Sequence, residues 1–346
     1  MIRVLLVDDS PSVRAVLKRF FSRTTDIQVV GEAEDGALAL RAVLEAQPDV
    51  IVMDLQMPVM DGYAAIEQIM SIRPTPIVVL SSRATRNQMQ TAFEAIRRGA
   101  LEVLPKPEDT PSWNQLAESL PETVRAIIEA QSQPRPRRRP RTAPEVTAPG
   151  GGPRELRWIA IGASTGGPAA IRELLVSLPA DAPTGFVIVQ HIASGFELGF
   201  SDWLNSQLPF DVRLAKDGEM LRKGTVRLAP GGSHLRMEAE GVLRLDTRTP
   251  ARRGHRPSVD ELFLSCAESC PREVAGVLMT GMGADGVEGL LALRKAGGLT
   301  LVQDEASSVV FGMPRVALEK RAADIALPPQ ELARTLVRAW GWGGAP

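Results

Sequence analysis

Arg157-Trp158-Ile159-Ala160-Ile161-Gly162-Ala163-Ser164-Thr165-Gly166-Gly167-Pro168-Ala169-Ala170-Ile171-Arg172-Glu173-Leu174 is the stretch that decides the fold of the C-terminal half. Trp158 to Ile161 is a short apolar run of the kind a buried parallel strand shows, and it breaks at Gly162. Helical spacing resumes after Pro168, with Ile171, Leu174 and Leu175 on one face. Pro168 suits the first helical turn, where its missing N–H does no harm. Between strand and helix, Gly162-Ala163-Ser164-Thr165-Gly166 matches G-x-S-x-G, a strained turn that lifts a serine hydroxyl above a sheet edge. Ser164 then lies near a helix N-terminus, where free N–H groups and the macrodipole favour developing negative charge. The same pattern can serve as an anion cradle or a purely structural turn. No lysine completes a P-loop here, however, and the G-x-G-x-x-G spacing is absent.

The chain has 346 residues, which predicts two domains, and 44% of them are hydrophobic, enough for two ordinary cores. A net charge of −1 gives no global attraction to nucleic acid or to a membrane surface. No apolar run approaches the ~18 residues a spanning helix requires. The chain starts on strand-like Ile2-Arg3-Val4-Leu5-Leu6-Val7 and runs into two aspartates, unlike a signal peptide. A soluble, cytoplasmic protein without membrane insertion is expected. The only cysteines, Cys266 and Cys270, sit four apart on a predicted helix. Two thiols do not fill a zinc site, and a disulfide does not suit that compartment.

Through residue 128, strands and helices alternate: Val4–Val7 then 11–22, Ile27–Val30 then 36–46, Val50–Met53 then 61–71, Ile77–Leu80 then 86–98, and Leu101–Leu104 then 112–130. Five βα repeats predict a parallel sheet covered on both faces. Asp8 and Asp9 follow the first strand and Asp54 ends the third, so three carboxylates meet in the crevice at the strand ends. Their mutual repulsion calls for a hard cation, and Mg²⁺ suits such a site. Ser81 and Lys106, after the fourth and fifth strands, add a hydroxyl and a compact positive charge for a phosphoryl group. Asp54 is then the nucleophile of an aspartyl-phosphate reaction.

Asp8, Asp9, Asp54-Leu55-Gln56-Met57-Pro58, Asp61-Gly62, Ser81 and Leu104-Pro105-Lys106-Pro107 closely resemble the receiver domain of two-component response regulators, a flavodoxin-like (βα)5 fold. The resemblance implies Asp54 as phosphoacceptor from a histidine kinase. It implies Asp9, Asp54 and the Gln56 carbonyl as Mg²⁺ ligands, Asp8 acting through water, and Ser81 and Lys106 as phosphate sensors. The usual aromatic switch position corresponds to Val103, so a swinging ring is not expected to carry the signal.

Residues 129–155 change character, with Pro and Arg dominating and Pro149-Gly150-Gly151-Gly152-Pro153 closing the tract. This reads as an interdomain linker, extended where Pro-rich and flexible at the glycines. Over 156–342 the alternation resumes: strands at Phe186–Gln190, Thr225–Leu228, Val274–Met279 and Leu299–Gln303, a hairpin through Leu243-Arg244-Leu245, and a helix opened by the capping box Ser258-Val259-Asp260-Glu261. A doubly wound, mostly parallel α/β sheet with an antiparallel edge fits this order.

A serine nucleophile needs a base, and the base needs an orienting carboxylate. His191 ends a strand at the edge expected for Ser164 and ranks first as the base on that placement; His255, the second candidate, lies among arginines where it could also meet substrate carboxyl groups; His234 sits beside a turn and reads as structural or surface. Asp285 follows a strand in a Gly-flanked turn as Ser164 does, while Asp260 and Asp304 remain alternatives. The order Ser, His, Asp differs from the Ser, Asp, His order of α/β-hydrolases.

Gly162-Ala163-Ser164-Thr165-Gly166-Gly167, Gln190-His191, Ala229-Pro230-Gly231-Gly232, His234-Leu235, Pro257-Ser258-Val259-Asp260, Thr280-Gly281-Met282-Gly283-Ala284-Asp285-Gly286 and the run from Gln303 to Pro314 resemble the protein-glutamate methylesterases of bacterial chemotaxis, the CheB family. The resemblance spans both domains in order. It implies Ser164 as nucleophile, His191 as general base, Asp285 as its orienter, and an oxyanion hole of N–H groups near Thr165 and Met282. It also implies methylated glutamates of methyl-accepting chemoreceptors as substrate, deamidation of receptor glutamines as a second activity, no cofactor in the catalytic domain, and a monomer regulated by its receiver. Ile192-Ala193 stands where the family often has Met-Pro, which bears on docking more than on chemistry. The competing expectation is a response regulator with a non-catalytic, partner-binding output domain. A DNA-binding output finds no support, since no compact helix-turn-helix is present.

Overall fold

Strand and helix alternate from the first residues because apolar runs of four to six are broken by Asp, Ser and Gly caps. The computed structural model describes residues 1–82, 86–132, 156–323 and 325–340, and the chain divides into two compact units, 1–134 and 135–346.

The first unit runs β1 (Ile2–Val7), α1 (Pro11–Phe21), β2 (Ile27–Ala33), α2 (Gly36–Ala46), β3 (Val50–Asp54), α3 (Gly62–Ile72), β4 (Ile77–Ser81), α4 (Arg86–Ala92), α5 (Glu94–Arg98), β5 (Glu102–Pro105) and α6 (Thr110–Ser132). The sheet order is β2-β1-β3-β4-β5 with every pair parallel. Residues Val4–Val7, Val50–Met53 and Ile77–Leu80 are buried, as a sheet covered on both faces requires. Ser10, Asp35 and Asp61 cap α1, α2 and α3 by accepting from Val13, Leu38 and Ala64 N–H.

Two expectations need correction here. The single helix expected over 86–98 is broken at Phe93, whose fully buried ring is turned inward. The N–H groups of Phe93 and Ile96 bond three residues back, to Gln90 and Phe93, so the helix tightens and restarts. The helix expected to end at 130 continues through Ser132, into the stretch assigned to the linker. The rest of that tract, 133–155, lies outside the described residues.

The second unit runs β6 (Trp158–Ala163), α7 (Gly167–Val176), β7 (Gly185–Gln190), α8 (Phe196–Gln207), β8 (Asp211–Leu214), β9 (Thr225–Leu228), β10 (His234–Met237), β11 (Leu243–Asp246), α9 (Val259–Ser269), β12 (Val274–Leu278), α10 (Val287–Lys295), β13 (Leu299–Gln303), α11 (Met313–Glu319), β14 (Ile325–Leu327) and α12 (Pro329–Ala339). Seven strands lie in the order β14-β13-β12-β6-β7-β9-β8, parallel throughout. The antiparallel element expected at an edge of this sheet is instead a separate ribbon, β10 with β11. Its inward residues Leu235, Met237 and Leu243 are fully buried in one core with Val259, Leu262 and Phe263 of α9 and with sheet residues such as Trp158, Val187 and Val189, so the ribbon packs on the core without pairing with an edge strand.

Order along the sheet reverses between β6 and β12: the chain leaves β6 for β7 on one side and later returns to β12 on the other. The crevice beyond the C-terminal ends of strands at such a reversal is where open α/β sheets hold ligands. In the first unit the same reversal falls between β1 and β3.

Candidate active site

Ser164 is the first residue past β6. Its N–H donates to Thr280 O at 2.9 Å, and its carbonyl accepts from Gly167 N at 2.8 Å, which closes the turn into α7. Gly166 takes φ +75°, a left-handed conformation a β-carbon would strain. The turn after β12 comes so close that a Cβ at Gly281 would lie 2.6 Å from the Ser164 Cβ. Glycine at both positions is therefore a packing requirement of the serine turn.

His191 is the first residue past β7, and its N–H donates to Ala163 O at 2.9 Å. With Ala163 opposite Gln190 in the β6–β7 register, Ser164 and His191 emerge from neighbouring strand ends. His191 Nε2 lies 2.8 Å from Asp285 Oδ2, while the buried Nδ1 has no hydrogen-bond partner. With Nε2–H donated to the carboxylate, Nδ1 carries the free lone pair.

Asp285 is 2% exposed and accepts from five donors: His191 Nε2, Ser258 Oγ at 2.7 Å, and the N–H groups of Val259 (2.7 Å), Asp260 (3.1 Å) and Gly286 (3.1 Å). Ser258 is the N-cap of α9, so the carboxylate sits on that helix's N-terminus and meets its positive dipole end. Burial pushes the carboxyl up, but the hydrogen bonds from His191, Ser258 and Val259 outweigh it and hold it well below the usual carboxylate range.

The alternatives separate cleanly. Asp260 is fully buried, accepts from Gly289 N at 2.8 Å and faces Arg252 and Arg253 at 3.6 and 3.7 Å. Burial above all, with Asp285 as a like charge, pushes its carboxyl up to about 6. Asp304 accepts from Ser307 N and Oγ in the turn after β13. His234 is fully buried: its Nδ1 accepts from Ser258 N at 3.2 Å and its Nε2 faces Pro250 O at 3.0 Å, a structural role beneath the site. His255, expected among its arginine neighbours to be able to meet substrate carboxyl groups, stacks on His191, ring centroids 3.8 Å apart and 4° from parallel. Its own imidazole is pushed down by burial and by His191. That stacking, and the bond of Ser258 to Asp285, carry no sequence signal beyond Pro257 and a helix cap.

Thr165 O accepts from Thr280 Oγ1 at 2.9 Å, and Met282, 43% exposed, follows Gly281. Among the described residues neither the Thr165 nor the Met282 N–H is paired with a backbone carbonyl. Past His191, Phe196 N bonds Ala193 O at 3.0 Å, so a turn over Ala193–Phe196 leads from Ile192 into α8.

In the first unit, Asp8 and Asp54 are buried and Asp9 exposed, with one carboxylate oxygen from each within 4.8 Å of the others. Lys106 Nζ bridges two of them, 2.6 Å from Asp54 Oδ2 and 2.8 Å from Asp8 Oδ2. Asp54 Oδ1 accepts from Leu55 N at 2.6 Å and from Gln56 N at 3.3 Å. Burial pushes the Asp8 carboxyl up against the pull of Lys106. Burial opposes the Lys106 charge too, but its bonds to Asp54 and Asp8 leave it raised. Ser81 is buried, and its carbonyl accepts from Lys106 N at 2.7 Å, tying the two expected sensors together. Val103 is buried in β5 opposite Val79, an aliphatic contact where a ring was absent from the sequence.

Residues 159–336 match the sequence model of the CheB methylesterase, and residues 4–118 that of the response regulator receiver domain. Protein-glutamate methylesterase/protein-glutamine glutaminase 3 of Anaeromyxobacter dehalogenans (strain 2CP-C) is 42% identical over 338 residues, covering 97% of this chain and 98% of that one. The protein of the same name from Symbiobacterium thermophilum, without the numeral, is 39% identical over 361 residues, covering 99% and 98%. The crystal structure of the Thermotoga maritima CheB methylesterase catalytic domain is similar at a TM-score of 0.51 and 34% identity, covering 53% of this chain and 97% of that one. With serine, histidine and aspartate turns gathered at one sheet end and a carboxylate cluster at another, the chain belongs to the CheB methylesterase family and carries an N-terminal response-regulator receiver domain.

Proposed function

We propose that the second unit is a serine hydrolase that demethylates glutamate methyl esters on chemoreceptors and deamidates receptor glutamines, and that phosphorylation of Asp54 raises its turnover. The observation that carries the reading is the 2.8 Å bond from His191 Nε2 to a carboxylate that four further donors hold in place, at the strand end beside Ser164.

Ser164 Oγ attacks the ester carbonyl while His191 Nδ1 takes its proton, and Asp285 stabilises the imidazolium without accepting the proton itself. The N–H groups of Thr165 and Met282 receive the charge on the carbonyl oxygen; a single such donor is worth about 3–4 kcal/mol. The imidazolium returns the proton to the leaving oxygen, methanol departs, and water hydrolyses the acyl-enzyme by the same proton path. With a glutamine the leaving group is ammonia and the acyl-enzyme is the same.

In the first unit Asp54 attacks the phosphorus of a phosphohistidine, the N–P bond breaking as the O–P bond forms. Asp8, Asp9, Asp54 and the Gln56 carbonyl would hold Mg²⁺, and the set fits: hard oxygens close together, with Lys106 the one cation ion-paired to them among the described residues, against three carboxylates. When bound, the metal neutralises charge on the phosphoryl oxygens. Lys106 and Ser81 hold the phosphoryl group once it is on Asp54.

Methanol release from methylated receptor membranes, with and without a small phosphodonor, tests the reading. The phosphodonor raises the rate, and Ser164→Ala removes it by at least about 10³-fold with the fold intact. Undiminished methanol release from Ser164→Ala rules the assignment out.

A further inference from the structure

The backbone ladder between β6 and β7 ends at the bond from His191 N to Ala163 O, one residue short of the nucleophile. Beyond it, a side chain continues the cross-link. The amide nitrogen of Gln190 lies 2.8 Å from Ser164 O and 2.8 Å from His191 O, so its two hydrogens are divided between the carbonyls of the nucleophile and the base. The opposite amide orientation would set an oxygen against two carbonyl oxygens, so the donor assignment follows from the chemistry. The other end of the same amide is unsatisfied: Gln190 Oε1 is buried without a partner, packed over Gly167, where a Cβ would sit 1.9 Å from it. A buried acceptor without a donor is costly, which argues that this glutamine is not kept for stability.

Ser164 O and Thr165 N belong to one peptide group, and that group is planar. Two donors grip its oxygen end, Gln190 Nε2 and Gly167 N, both at 2.8 Å. Its N–H points the other way, unpaired with any backbone carbonyl among the described residues. Resting on the assignment of Thr165 N–H as an oxyanion donor, we propose that Gln190 is a positioning residue that fixes the plane of the 164–165 peptide and so aims that N–H at the developing oxyanion. Hydrogen bonds at the carbonyl end also polarise the peptide and strengthen its N–H as a donor.

Gln190→Met keeps the length and removes the amide, and is tested in the full chain alongside Ser164→Ala. Two rates are read: methanol release, and phosphonylation of the enzyme by a fluorophosphonate, which also builds charge on an oxygen in the hole. Both fall together by about tenfold to a hundredfold, while KM and the midpoint of the pH–rate profile stay put. Should the methionine variant fail to fold, as judged by near-ultraviolet circular dichroism, Gln190→Asn withdraws the amide by one methylene and is held to the same two rates. Rates within about twofold of the parent, with Ser164→Ala inactive, overturn the positioning role and leave the hydrolase assignment standing. A shifted pH midpoint overturns it as well, because the amide then acts on His191. An active Ser164→Ala instead brings down the assignment on which the proposal rests.

Discussion

The two units place an aspartate at the same topological address, the C-terminal strand ends beside a reversal of sheet order, and treat it in opposite ways. Asp54 keeps its Oδ2 on Lys106 and shares the crevice with two further carboxylates. Asp285 is saturated by five donors on the N-terminus of α9. On the proposed role, a carboxylate that attacks phosphorus needs one oxygen held by a displaceable countercharge, as Lys106 holds Asp54 Oδ2, while backbone N–H groups of Leu55 and Gln56 fix the other. A carboxylate that must orient an imidazole has to be locked. The sheet supplies the address in both cases, and the local donor set decides the task.

The comparison breaks first at Asp285. Asp285→Asn replaces an acceptor with a group that cannot fix the His191 tautomer, and methanol release falls by about 10³–10⁴-fold with receptor binding little changed, as measured by turnover against KM. A loss under tenfold means the carboxylate is a helix cap and nothing more. The Asp285 carboxyl is also lowered by folding, so its contribution to stability is present above about pH 4 and lost as pH falls below it, and urea midpoints across that window read it.

On the other side of the comparison, Asp54→Asn abolishes the rise in methanol release produced by a phosphodonor. A rise that survives the substitution places the phosphoryl group elsewhere. The smallest effect sharpens the contrast rather than breaking it. Asp260, next to Asp285 in space and buried, is raised to about 6, the opposite of its neighbour. The folded state then holds its proton more tightly than the unfolded chain, so stability declines as pH rises from about 4 to 6. Asp260→Asn, which keeps an acceptor for Gly289 N, removes that decline and raises stability at pH 7 by at most about 3 kcal/mol. Parallel stability–pH curves for variant and parent contradict it.

Both sheets, the positions of Ser164, His191 and Asp285 at strand ends, and the Asp8–Asp54–Lys106 cluster were legible because strand ends carry local marks: apolar runs stopping at Gly, Asp or His. The two edge strands of the second sheet were not. Asp211–Leu214 is short, charged and half exposed, and Ile325–Leu327 spans three residues, so neither produces a pattern. The separate β10–β11 ribbon was misplaced at the sheet edge because a hairpin's sequence states its pairing and not what it packs against. Ser258 was readable as a cap, but its bond to Asp285 depends on α9 meeting the turn after β12, a tertiary fact. The stacking of His255 on His191 is of the same kind.

The central claim is that Ser164 is made nucleophilic by His191 and Asp285 at the end of one sheet. Its most direct test is to treat the protein with a fluorophosphonate and locate the adduct by peptide mass spectrometry. The account predicts a single adduct on the peptide bearing Ser164, lost in His191→Ala. Methanol-releasing protein that carries no adduct at Ser164, or an adduct that forms as fast without His191, contradicts it.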